Sequence, residues 1–221
     1  MFQKRLLGML LPVLLAAVSA LAQKNEMSVT FGSTFVSTQT NQLALSEDPQ
    51  DFNTRIHFGN EETLAFNYGR LLAVRKVFGF YAEVPAAGYF RMDLNTYLNQ
   101  VPKDIGAFFV TPSLRVNFFA RDNFTPWASF GGGYGRFRYP HELIWGNAPN
   151  PYTGPTGSNT GVIQFGAGMD AWVWHKWGFR AEARDFWSGE PDLNGNAALP
   201  VDTGRSRQHN YYVGVGVVTR W

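Results

Sequence analysis

The chain alternates between apolar and polar positions, and the alternation is clearest over residues 209–221. At period two, one face reads Tyr211, Val213, Val215, Val217, Thr219 and Trp221. The other reads Asn210, Tyr212, Gly214, Gly216, Val218 and Arg220. A β-strand sends successive side chains to opposite faces, so this pattern predicts a strand with two different environments. The apolar face has rings at both ends and branched carbons between, which suits a strand crossing a bilayer.

Seven earlier stretches follow the same rule, at 27–36, 62–72, 77–86, 105–119, 126–135, 160–174 and 178–187. Long polar loops separate alternate pairs (37–61, 87–104, 139–159 and 188–208), and short turns join the others (73–76, 120–125 and 175–177). Eight strands with long and short connections in strict alternation predict an all-β fold, an eight-stranded antiparallel up-and-down transmembrane β-barrel. Such a barrel is wide enough only for side chains to fill it. Pro112 is the misfit, because a closed sheet has no edge to tolerate a missing donor; a bulge is expected there.

Alternation alone does not say which face is inside, since a soluble barrel would bury its apolar side. The polar face decides. Its middle is Gly32, Gly69, Gly79, Gly131, Gly133, Gly166, Gly168, Gly214 and Gly216. Glycine weakens a solvated strand, whereas a narrow lumen shared with long charged side chains requires small residues. The apolar face therefore meets lipid, with Trp177, Trp187, Tyr211 and Trp221 as an aromatic girdle at the rims. Trp172, Trp174 and His175 join Trp177 around one short turn as part of that belt.

Residues 1–22 read as a secretory signal peptide: Lys4 and Arg5, an apolar run, then Ala20-Leu21-Ala22. The barrel domain is thus expected over 23–221. Lys4 and Arg5 account for the whole excess of 19 basic over 17 acidic side chains, so the exported chain is neutral and carries no nucleic-acid footprint. Charged residues make up 16%, against about 25% in soluble domains, as a membrane wall demands. With no cysteine, neither disulfides nor thiolate metal sites arise.

The candidate chemistry is Arg180-x-Glu182-x-Arg184, which with Glu83, Arg115 and Asp170 places six charges in the lumen. They could line an ion path. A packed salt-bridge network is the better reading, because unpaired charge in a confined low-dielectric space is costly. His57, His141, His175 and His209 are scattered over loops and turns without ligand spacing, so no metal or catalytic role is assigned. Gly131-Gly132-Gly133-Tyr134-Gly135 and Gly154-Pro155-Thr156-Gly157-Ser158 lack the strand-to-helix setting of a phosphate loop.

The signal segment, the eight-strand meander, Pro126-Trp127 opening a Gly-alternating strand, and the ending Val213-Gly214-Val215-Gly216-Val217-Val218-Thr219-Arg220-Trp221 resemble the OmpA-like and opacity-type outer-membrane barrels. The resemblance implies a monomeric or weakly associating barrel in the outer membrane of a diderm bacterium, surrounded by outer-membrane lipid and lipopolysaccharide; neither enzymatic activity nor a cofactor is expected. It also implies insertion by the barrel-assembly machinery, with Val213, Gly214, Val215, Gly216, Val217 and Trp221 as the assembly signal. Function would reside in four long extracellular loops whose ligand is unknown. No peptidoglycan-binding domain follows the barrel, so cell-wall tethering is not implied. The alternatives are a narrow pore or small-hydrophobe conduit of OmpW-like type and a lipid A acyl-modifying enzyme, the latter lacking a compact His-x-Ser motif here.

Overall fold

The computed structural model describes residues 25–37, 39–40, 55–95, 102–120, 122–139, 144–145, 152–153, 156–193 and 207–221. The expected signal peptide and His141 lie outside the described residues, as do the middle parts of the four long loops. The strands in chain order are β1 (Asn25–Val36), β2 (Gln39–Thr40), β3 (Arg55–Phe58), β4 (Asn60–Arg75), β5 (Phe78–Asn95), β6 (Asp104–Val110) and β7 (Ser113–Asn117). They continue with β8 (Phe124–Arg138), β9 (Ile144–Trp145), β10 (Tyr152–Thr153), β11 (Gly157–Trp172), β12 (Trp177–Gly189) and β13 (Arg207–Arg220).

Eight staves close into a ring. β1, β4 and β5 pair in sequence, β6 and β7 together form the fourth stave, and β8, β11, β12 and β13 follow. β13 returns to β1 with Val29 opposite Val217 and Gly32 opposite Gly214. All these pairings are antiparallel. Closure leaves no long stave with an open edge, which is what allows a sheet to stand in lipid. Phe31, Leu64, Leu114, Phe130, Phe165 and Val215 are exposed on the outer wall. Arg115, Asp170, Arg180 and Glu182 are buried inside. A soluble protein would have the two sets exchanged.

The staves reach further toward the long-loop end than the alternation predicts. β5 runs to Asn95, nine residues into what reads as loop, and β4, β11, β12 and β13 gain shorter extensions. The reason is a change of phase. In this upper half the interior is Val36, Ala65, Tyr89, Met92, Leu94, Ile105, Phe109, Phe137, Tyr139, Val162, Phe186, Leu193 and Tyr212, packed as one apolar cluster. Phe109 stacks on Phe186 at 5.1 Å and meets Phe137 edge-on at 5.9 Å. Polar residues such as Arg91, Asp93, Arg136 and Arg138 now face outward. Beyond the lipid the wall obeys the soluble rule, so a search for apolar residues facing out stops too early. The ion-pair layer of the lumen lies in its short-turn half, while Ser188, Gln208 and Asn210 are buried at the long-loop end beside the apolar cluster.

Pro112 does not produce the expected bulge. Ala86 pairs with Val110 and Glu83 with Ser113, so the register across Thr111–Pro112 is unbroken; the same holds against β8, with Val110 opposite Tyr134 and Ser113 opposite Gly131. The ladder instead loses donors. Thr111 donates its amide to the Pro85 carbonyl at 3.1 Å, and Gly132 donates to the Pro112 carbonyl at 3.2 Å. Neither proline can return a bond. The wall at this point keeps one of these bonds on each side, to β5 and from β8, and β8 crowds in to make its own. A Cβ on Gly131 would collide with the Pro112 carbonyl, and one on Gly133 with the Val110 carbonyl. The Gly131-Gly132-Gly133 run is thus required by close backbone approach as well as by lumen volume.

Gly133→Val should lower the free energy of unfolding in urea and detergent by about 2 kcal/mol, the usual cost of forced overpacking. Gly161→Val, where a Cβ would meet nothing within 4 Å, should leave it unchanged.

Candidate functional site

The short-turn half of the lumen is built around three arginines and four carboxylates. β12 projects Arg180, Glu182 and Arg184 inward, since they share parity. β5 supplies Glu83, β7 supplies Arg115, β11 supplies Asp170, and β1 supplies Glu26. All seven are buried, with side chains no more than 3% exposed. The structure therefore brings together the six charged residues singled out in the sequence and adds Glu26. Glu26 lies one residue before the expected start of the first strand at Met27, and its parity with Ser28 and Thr30 is the sequence signal that places it inward.

The bonds cross the barrel in every direction. Arg180 donates Nε and Nη2 to the two Asp170 carboxylate oxygens at 2.7 Å each, and Nη1 to Ser28 at 3.0 Å. Its Nη2 also reaches Glu26, which receives Arg115 Nη2 at 2.6 Å. Arg184 bonds Glu182 at 2.9 Å and Glu83 at 3.0 Å. Glu182 in turn accepts from Thr30 at 2.6 Å and from Asn67 at 3.2 Å. Trp127 sits at the hub. Its indole N–H donates to Asp170 at 3.2 Å, and the guanidinium carbons of Arg115, Arg180 and Arg184 lie 5.5, 5.2 and 5.0 Å from its ring centroid. An indole face attracts cations and here holds three of them apart while the carboxylates neutralise each. Tyr81 covers Arg115 from below at 4.5 Å, and Arg220 lies over Trp172 at 4.1 Å near the short-turn mouth.

Chemically this is a layer of ion pairs packed around the ring of Trp127, in which Glu83 Oε2, Arg115 Nε and Nη1 and Arg184 Nη2 make no hydrogen bond among the described residues. No group of three or more His, Cys, Asp or Glu residues able to hold a metal ion occurs among the described residues.

The predicted girdle separates into its two rims. Trp177 and Trp221 stand exposed at the short-turn end, and Trp187 and Tyr211 face outward near the long-loop end. Trp172 is a correction to the expected belt: it points into the lumen under Arg220, because it shares parity with Asp170. Val213, Val215 and Val217 are on the outer wall and Gly214 and Gly216 on the inner. His209 stands beside its long loop, as expected, and its partly exposed ring is held in place by its neighbours. It lies on β13 with Nδ1 2.7 Å from the Asp185 carboxylate, stacked between Trp187 at 5.8 Å and Tyr211 at 5.4 Å. Arg207 extends this outward stack over Trp187 at 4.8 Å. Two staves from β13, on β4, partial burial and the neighbouring Glu62 and Asp93 raise the Glu61 carboxyl above its ordinary value, with Arg91 opposing them.

No known sequence family matches the chain. No curated protein matches it either. Solved structures do. The outer-membrane protein OprG of Pseudomonas aeruginosa is 13% identical, with a TM-score of 0.58 over 90% of this chain and 96% of that one. Ail, the attachment invasion locus protein of Yersinia pestis, is 10% identical at a TM-score of 0.47, covering 90% and 99%. Neisserial surface protein A is 10% identical at 0.46, covering 90% and 96%. The likeness to OprG carries the comparison and shows the fold: the chain is a small eight-stranded barrel of the outer-membrane type, as the OmpA-like resemblance anticipates.

Glu182→Ala leaves Arg184 with one carboxylate fewer and should lower unfolding free energy by about 3 kcal/mol, the cost of breaking a buried pair. Chemical denaturation in detergent checks it; a variant as stable as the parent would mean that the layer is not structural.

Proposed function

We propose that this protein is an integral outer-membrane barrel with a closed lumen, whose working surface is the long-loop rim exposed to the cell's exterior. The observation that carries the reading is the layer of seven paired charges around Trp127, which spans the lumen from β1 to β12. A conducting pore needs a continuous wet path with mobile counter-charge, and a layer in which each cation is already neutralised offers none. The apolar cluster above it closes the other half. What remains for function is the outside of the upper barrel and the loops that it raises above the lipid, consistent with a structural and surface-interaction role. The barrel then acts as a pedestal, and ligand contacts belong to loop residues around 38–54, 96–101, 140–151 and 194–206.

A second reading, a conduit for small apolar molecules, has one observation in its favour. The donor-poor stretch at Pro85 and Pro112 lies in the wall between Phe109 of the apolar cluster and Ser113, which bonds Glu83 of the charged layer. A wall that opened there would connect the apolar half of the lumen to the lipid.

Purified protein reconstituted in planar bilayers should give no voltage-dependent channel steps; regular steps would overturn the closed-lumen reading. Pro112→Val, which restores a donor, separates the two functions. Cells carrying it should take up medium-chain hydrocarbons at the parental rate if the wall stays shut, and more slowly if the conduit reading holds.

A further inference from the structure

The outer wall of the upper barrel contains a cleft that the closed lumen does not explain. Its origin is local. On β5, Tyr89 pairs with Ala107 but Met92 pairs with Ile105, so Phe90 and Arg91 together oppose Gly106. This bulge turns the Phe90 ring outward, 86% exposed. Gly106 is the residue that permits it, since a Cβ there would lie 2.6 Å from the Phe90 carbonyl oxygen. Gly88 likewise shares the outward face without a side chain, its missing Cβ space bounded by Phe108 at 3.3 Å. Two bare outward positions between two rings leave a cleft of about 360 Å³, lined by Gly88, Phe90, Gly106, Phe108 and Arg138.

Arg138 gives the cleft its chemistry. It lies on β8 directly opposite Gly106, at the end of the trough furthest from the short turns. Arg91 is engaged with Asp104 at 2.8 Å, but Arg138 and its outward neighbour Arg136 have no acidic partner among the described residues. The height also fits. From Phe78 to Phe90 the stave climbs twelve residues, which at a rise of roughly 3.3 Å and a tilt of roughly 40° is about 30 Å. That reaches about 5 Å past the apolar band of about 25 Å, so Gly88 and its partner Phe108 stand at the outermost acyl carbons, with Phe90 and the guanidinium of Arg138 among the headgroups.

We propose that this cleft binds one phosphorylated glycolipid of the outer leaflet, a lipopolysaccharide molecule. An acyl chain occupies the Gly88–Gly106 trough between the two rings, and a lipid A phosphate sits on Arg138, with Arg136 adding charge. The planar guanidinium matches a phosphate bidentately, and a trough continuous with bulk lipid accepts the chain without exposing it. The assignment rests on the outer-membrane placement and is independent of whether the lumen conducts.

The test uses the purified full chain in detergent, incubated with bisphosphorylated lipid A, with its dephosphorylated form, or with phosphatidylglycerol, and read by native mass spectrometry. The parent should retain one lipid A per barrel and discriminate against the other two. Arg138→Ala and Gly88→Leu, which fills the trough, should each reduce retention about tenfold, the size of one lost charge-assisted contact. Arg138→Lys should keep part of it. Arg207→Ala, on a distant stave, should not change it. Heat-modifiable gel mobility establishes that each variant is folded, and Arg138 is exposed, so its removal leaves the wall intact. Parental retention in Arg138→Ala, equal loss in Arg207→Ala, or equal retention of phosphatidylglycerol or of dephosphorylated lipid A would each overturn the proposal. Because binding is measured away from the cell, such a failure leaves the outer-membrane placement itself untouched.

Discussion

Charge enclosed by a lipid-walled tube must be neutralised inside the tube, and the rest of this barrel is arranged around that necessity. Moving an isolated ion from water into such a space costs several kcal/mol even after relaxation, so a lone arginine in the lumen would unmake the fold. Seven charges become tolerable because each answers another across the interior: Asp170 chelates Arg180, Glu26 bridges Arg180 and Arg115, and Glu83 and Glu182 share Arg184. The small inward residues of the neighbouring staves make room for these side chains. Trp127 supplies the one polarizable surface large enough to serve three guanidiniums at once.

Above that layer the same chain follows the opposite rule. Once the wall leaves the lipid, water is outside and the inside is free to be apolar, so Phe109, Phe137 and Phe186 pack together as they would in a soluble domain. The barrel is therefore two cores on one set of strands, an electrostatic one in the membrane and an aromatic one beyond it. The change of phase happens within single staves. On β5, inward Glu83 belongs to the first core and inward Tyr89 to the second.

This division explains what could be seen in the sequence. The eight staves, their order and the outward side were legible because period-two alternation against lipid is a strong and uniform constraint. Arg180, Glu182 and Arg184 were legible as a group because they lie on one face of one strand, whereas Glu26 fell just outside the first strand's apparent start. Trp127 looked like an opening marker, and nothing local to it announces a hub whose partners come from β7, β11 and β12. The upper half of β5 has the pattern of a loop, because its inward Tyr89, Met92 and Leu94 contradict a rule valid only within the bilayer. Pro112 was expected to add a residue to the wall. In the fold it removes a bond instead, a distinction that depends on the opposing strands and not on the sequence around it.

One feature of the charged layer bears on how such a wall can form. β1 contributes Glu26, Ser28 and Thr30, and their partners are Arg180, Arg115, Asn67, Glu182 and Tyr212 on other staves. The backbone ladder between β1 and β13 would be satisfied by any in-phase edge, including that of a second molecule. The side-chain bonds would not: an unclosed sheet leaves Arg180 short of Glu26 and Glu182 short of Thr30. The ion layer thus works as a latch with a single key. It favours sealing the seam within one chain over adding a stranger's strand, and it rejects a seam closed two residues out of step.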